Sequence, residues 1–156
     1  MENKVVLGVY CVIESEDKIL LTEDVGKPGW KLPGGKVDLN ETLEAAVKRE
    51  VEEEVGLKIE PTEIFAIEEY INPVLEHRIR IFVSAKYLSG TIKLADGEVS
   101  KSIWVSKEEL TNMKESEFFK DFIYKATRKY LSRQGVSLNN FLITTIRKAP
   151  SGDKLE

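Results

Sequence analysis

Residues 35–57 read GKVDLNETLEAAVKREVEEEVGL, and the reading of this stretch decides the rest of the 156-residue chain. Asn40 or Thr42 can cap a helix here, and Gly56 is a natural stop just past its last turn. Glu50, Glu53 and Glu54 fall three and four residues apart, so they share one face of that helix. They also crowd its C-terminal end, where the helix dipole is itself negative and disfavours anions. Two carboxylates about 6 Å apart repel by roughly 3 kcal/mol at an effective dielectric of 20. A hard divalent cation, Mg²⁺ or Mn²⁺, is the counter-charge that turns this penalty into an attraction. Residues 44–54 hold five glutamates against Lys48 and Arg49, a local net charge of -3 in a chain whose total is -4. Most of the imbalance therefore sits in one short helix.

The spacing is similar to the Nudix box: Gly35, five residues, Glu41, seven residues, Arg49-Glu50, apolar Val51, one residue, Glu53-Glu54, one residue, Gly56 and apolar Leu57. All nine constrained positions are filled, five of them by charged residues, and Trp30-Lys31-Leu32-Pro33-Gly34-Gly35 resembles the family's lead-in. The resemblance implies an α/β/α sandwich with a mixed β-sheet over residues 1–134, leaving 135–156 as a C-terminal extension. It implies a hydrolase that cleaves a phosphoanhydride bond of a nucleoside diphosphate linked to another moiety, by metal-assisted attack of water on phosphorus. Carried over residue by residue, Gly34 (through its carbonyl oxygen), Glu50, Glu53 and Glu54 become metal ligands. Arg49, within helical reach of Glu52 and Glu53, becomes the group that orients a catalytic glutamate, and Glu41 braces the helix start. Glu50 is the first choice of general base. Glu98, after Asp96-Gly97, is the alternative: a loop glutamate that binds metal or activates water, or else a plain turn residue.

The rest of a substrate is less sharply encoded. Trp30, Tyr70, Phe82 and Trp104 either stack on a base or pack the core. Arg78 and Arg80 share one strand face and either grip phosphates or stand in solvent; His77 is the only histidine. Pro73 falls near a proline of ADP-ribose-cleaving relatives, although a turn after Asn72 explains it equally. The alternative to an enzyme is a non-catalytic sensor of this fold that binds nucleotide or RNA. Such members lose box glutamates, and this chain keeps them all.

Composition agrees with a soluble single domain: 42% hydrophobic and 32% charged residues. A net charge of -4 argues against a DNA-binding surface. Cys11 is the only cysteine, which excludes a disulfide frame, and no stretch reaches membrane-span length. A cytoplasmic protein is the expectation.

Strands are expected at residues 5–13 (apolar on both faces, hence central), 18–22, 30–32, 57–70, 76–88 and 99–105. Residues 24–29 and the Gly34-Gly35 pair read as loop and turn, and Ser106 to Glu109 as a capping box opening a short helix. Residues 116–134 read as a longer helix with Phe119, Phe122, Ile123, Ala126 and Tyr130 as its apolar stripe. Residues 141–146 are read as an added strand, an edge or the contact of a homodimer, and 149–156 as a mobile tail.

Overall fold

A computed structural model of the chain describes residues 4–72 and 76–138. Pro73, residues 141–146 and the tail therefore lie outside the described residues.

Strand β1 (Val5–Ser15) is the spine of an eight-stranded mixed sheet. Along one edge it runs parallel to β6 (Glu76–Ser89), from Val5 opposite His77 to Glu14 opposite Lys86. Its other edge is shared. Residues 8–10 pair antiparallel with β4 (Gly34–Lys36), whereas residues 14–15 form the hairpin with β2 (Lys18–Asp24). The sheet thus splits where the Gly34-Gly35 pair enters. β2 continues the sheet through β3 (Lys27–Lys31) on one side and β7 (Val99–Ser106) on the other. β5 (Lys58–Asn72) flanks β6, and β8 (Val136–Ser137) adds two residues to its edge.

Helix α1 (Leu43–Val55) covers one face of the sheet; α2 (Lys107–Asn112) and α3 (Asp121–Leu131) cover the other. Each face has its own core. Val9, Cys11 and Ile13 of β1 pack with Ala46, Val47 and Val51 of α1. Val12 packs with Phe82, Ile123, Ala126 and Tyr130 on the α3 side. That two-sided burial is why residues 5–13 carry no polar alternation, and it makes the fold the α/β/α sandwich that the sequence implied. Burial drives the Cys11 thiol far above its ordinary pKa, which makes it an inert core side chain.

Three expectations are corrected. The late helix is shorter than residues 116–134: a 3-10 turn occupies Glu115–Glu117, and α3 spans only Asp121–Leu131. Residues 118 and 119 are instead drawn against β3, where Phe118 bridges Trp30 and the Phe119 N–H donates to the Trp30 carbonyl at 3.0 Å. The Gly34-Gly35 turn is itself a strand, and β3 begins at Lys27 within the stretch read as loop.

Candidate active site

Thr42 caps α1 by accepting the Ala45 N–H at 3.1 Å, and Gly56 ends it in the left-handed conformation (φ 74°) that favours glycine. The exposed carbonyls of the last turn are then taken by the following segment: Lys93 N–H donates to Val55 O and Ala95 N–H to Glu54 O, both at 2.9 Å.

Arg49 is the hub of the site. Its Nε and Nη2 donate to the two carboxylate oxygens of Glu41 at 2.7 and 2.9 Å, a bidentate fork. Nη1 donates to Glu50 Oε1 at 2.9 Å and Glu53 Oε2 at 3.2 Å, and Nη2 also reaches the Lys36 carbonyl at 3.0 Å. Its carboxylate partners are therefore Glu41, Glu50 and Glu53, with Asp38 at 3.5 Å, and not Glu52, which is exposed. The Arg49 hydrogen bonds, followed by that from the Asp38 N–H, hold the Glu41 carboxyl down at about 2. Glu41 braces the loop into the helix as expected.

Glu50 and Glu54 are shifted the other way. Burial raises the Glu50 pKa, more than Arg49 lowers it. Glu54 is 8% exposed, and burial pushes its carboxyl up to about 7, with Glu50 and Asp24 adding repulsion that Lys31 and the Gly34 N–H only partly offset. Lys31 feels the converse: burial would lower its pKa, but Glu54 and its 2.9 Å partner Asp24 together raise it. Glu54 also shares a cavity of about 410 Å³ with Glu98, so the helix glutamate and the loop glutamate face one space. Among the described residues, no three His, Cys, Asp or Glu side chains converge into a ready-made ion cage. Arg49 Nη1 ties Glu50 to Glu53, while Glu54 accepts from the Gly34 N–H at 3.4 Å.

The two glycines of the lead-in do different jobs. A Cβ on Gly34 (φ 152°) would stand 2.2 Å from the Val9 carbonyl oxygen and 2.7 Å from Tyr10 Cα. On Gly35 its nearest neighbours would be the atoms of the Glu50 carboxyl group, from 2.6 Å. Glu50 therefore rests its carboxyl directly on the Gly35 backbone. Gly34→Ala is expected to cost at least about 3 kcal/mol, because backbone must move. Gly35→Ala should fold with nearly unchanged stability and displace Glu50, lowering any hydrolytic turnover about tenfold. Thermal unfolding alongside steady-state kinetics on the two variants checks the contrast.

A family model described as the NUDIX domain matches residues 3–126. The chain belongs to the Nudix hydrolase family. It is 29% identical over 130 residues to the phosphatase NudJ of Shigella boydii, covering 81% of this chain and 83% of that one. It also resembles the solved MutT Nudix hydrolase of Burkholderia pseudomallei: TM-score 0.66, 27% identity, covering 85% of this chain and 99% of that one. A third likeness is to an ADP-ribose pyrophosphatase of Streptococcus suis: TM-score 0.63, 26% identity, covering 81% and 90%. Membership makes the chain a pyrophosphohydrolase of the Nudix type, as the complete box implied. Among the described residues no helix is long and apolar enough to cross a membrane.

Beyond the Nudix box, Arg78, Arg80 and Phe82 line one cavity of about 730 Å³ between β5, β6 and α3. Phe82 is 1% exposed and forms part of its floor, stacked on Tyr10 with ring centroids 5.7 Å apart, so it presents no open face to a base. Trp30 is not in that wall; it packs on the α3-side core, with the Lys101 ammonium 5.3 Å from its ring centroid. His77 pairs with Glu69 at 2.7 Å. What the sequence did not reveal is Glu68, the direct cross-strand neighbour of Arg80 and its ion-pair partner at 2.6 Å. Strand register, which no local signal encodes, brings them together.

The raised Glu54 pKa fixes a sign for the metal-free protein. Below about 4.5 the group is protonated in both the folded and the unfolded state. As pH rises to about 7 the unfolded chain ionises first, so stability is lost, by about 3 kcal/mol across that window. In chelator, urea unfolding from pH 4 to 8 should show this loss in the parent protein relative to Glu54→Gln, whose curve lacks that component.

Proposed function

We propose that this Nudix protein is a divalent-metal-dependent hydrolase cleaving a phosphoanhydride bond of a nucleoside diphosphate linked to another moiety: a nucleoside triphosphate, ADP-ribose or a nucleotide sugar. The observation that carries the reading is the Arg49 hub. One guanidinium fixes Glu41, Glu50 and Glu53 together, beside a buried Glu54 short of positive charge.

The donor set suits Mg²⁺ or Mn²⁺. Glu50, Glu53 and Glu54, with the Gly34 carbonyl oxygen, would hold the ion, and Glu98 across the cavity offers a further oxygen. A carboxyl pushed up to about 7 gives up its proton readily at neutral pH once a cation supplies the missing charge. When bound, such an ion neutralises phosphate charge and polarises the phosphoryl oxygen. Glu50, its carboxyl fixed between Arg49 and the Gly35 backbone, is placed to accept the proton of the attacking water. Glu98 is the second candidate for that role. Arg78 and Arg80 bind the phosphates, and the aromatic floor that includes Phe82 excludes water beneath them.

Among the relatives are a phosphatase and an ADP-ribose pyrophosphatase, and the second name falls within this range. A panel of nucleoside triphosphates, ADP-ribose and nucleotide sugars, incubated with Mg²⁺ or Mn²⁺ and scored for phosphate, pyrophosphate and nucleoside monophosphate, tests the proposal. Tight binding without any product would favour the sensor reading instead.

A further inference from the structure

Arg80 stands in the wall of the 730 Å³ cavity, only 9% exposed. Its guanidinium carbon lies 4.0 Å from the Phe122 ring centroid and 5.7 Å from that of Tyr70. One edge is occupied, because Nη1 donates to Glu68 Oε2 at 2.6 Å. Nε is buried and has no hydrogen-bond partner. A guanidinium cannot shed its proton, so an unmade hydrogen bond there leaves a charged donor unsatisfied. Arg78 is engaged in the same manner by Glu76.

The two arginines do more than line this cavity. Together with Gly8, Tyr10, Gly35 and Lys36 they also line a recess of about 20 Å³. They therefore bridge the large cavity and the Gly35 backbone on which the Glu50 carboxyl rests. A ligand that extended from the Gly35 side toward the cavity would meet them. Two aromatic surfaces there already carry a cation, so a neutral planar group gains little by stacking without displacing it. A phosphate gains more, since its oxygens can engage a guanidinium through paired charge-assisted hydrogen bonds.

We propose that Glu68 is an internal stand-in for a phosphate group of the ligand: it neutralises Arg80 in the free protein, and a phosphate entering the cavity takes the guanidinium from it. This rests on the hydrolase reading for the ligand's orientation, and adds to it a residue that sets specificity. Glu68 discriminates because a ligand engages the guanidinium only by compensating the broken Glu68–Arg80 pair, which a phosphate does and a neutral sugar or base does not. The phosphate belongs either to the anhydride itself or to a monoester elsewhere on the molecule.

Calorimetric titration in chelator, with no metal present, tests this on the parent protein, Glu68→Gln and Arg80→Gln. The probes are pyrophosphate, AMP and adenosine. Glu68→Gln is expected to bind phosphate-bearing probes about tenfold tighter than the parent protein, and Arg80→Gln about tenfold more weakly, with adenosine unchanged in both. A gain confined to pyrophosphate assigns the anhydride phosphates; a gain confined to AMP assigns a monoester. Unchanged or weaker phosphate binding in Glu68→Gln overturns the proposal, as does adenosine affinity moving in parallel. Should Glu68→Gln fail to fold, Glu68→Ala takes its place under the same expectations, and undiminished phosphate binding in Arg80→Gln also overturns the proposal. Hydrolysis by the parent protein is scored separately. Turnover without the affinity pattern refutes only the role of Glu68, whereas the pattern without turnover refutes only the hydrolase.

Discussion

Glu53→Gln is expected to lower nucleotide turnover at least about a hundredfold while nucleotide binding persists. Glu53 is the exposed acidic member of the box, with 58% of its side chain accessible, and among the described residues its ion pair is with Arg49 Nη1 at 3.2 Å. An amide of the same shape keeps an oxygen for that hydrogen bond and removes only the negative charge. An exposed pair of this kind contributes little to stability, so the fold should be untouched. A drop in turnover with an unchanged melting temperature therefore reports the charge itself. Steady-state kinetics with Mg²⁺, with binding measured in parallel, makes the comparison, and turnover equal to the parent's would refute the metal-site assignment.

Arg49→Lys is expected to give the second large effect: a roughly hundredfold loss of turnover with only about 1 kcal/mol of stability lost. Arginine spreads its donors over a rigid plane and uses them here on Glu41, Glu50, Glu53 and the Lys36 carbonyl at once. An ammonium keeps the charge but is a single point on a flexible stem. It can satisfy the Glu41 carboxylate or the Glu50–Glu53 pair, not both. The substitution therefore separates charge from geometry. Kinetics and thermal unfolding on the same variant check it, and retention of more than about a third of the activity would mean that charge alone suffices.

Much of the site could be read from residues because its signals are local. The Thr42 cap, the Gly56 stop, the shared face of Glu50, Glu53 and Glu54, and the reciprocal Ser106–Glu109 box all lie within a turn or two of chain. The two-sided core of β1 was equally plain from an unbroken apolar run. What failed depended on distant chain. Residues 116–120 have ordinary helical character, yet the Trp30 backbone captures Phe118 and Phe119 and shortens α3. The Gly34-Gly35 pair reads as a turn because glycine usually marks one, but the edge of β1 recruits it as β4. Arg78 and Arg80 were legible as a pair on one face; Glu68, the acidic neighbour of Arg80, was not, since pairing across β5 and β6 follows from bulges and register that periodicity does not carry.

The segment after α1 has one more consequence. Its amides at Lys93 and Ala95 close the final turn of the helix, and three residues beyond Ala95 the same segment carries Glu98, whose own N–H donates back to the Ala95 carbonyl. Swinging Glu98 outward without releasing the helix terminus would require that short tether to stretch. Entry and exit of cargo on that side should therefore coincide with fraying of the last helical turn. Hydrogen–deuterium exchange at Lys93 and Ala95 would then report that fraying.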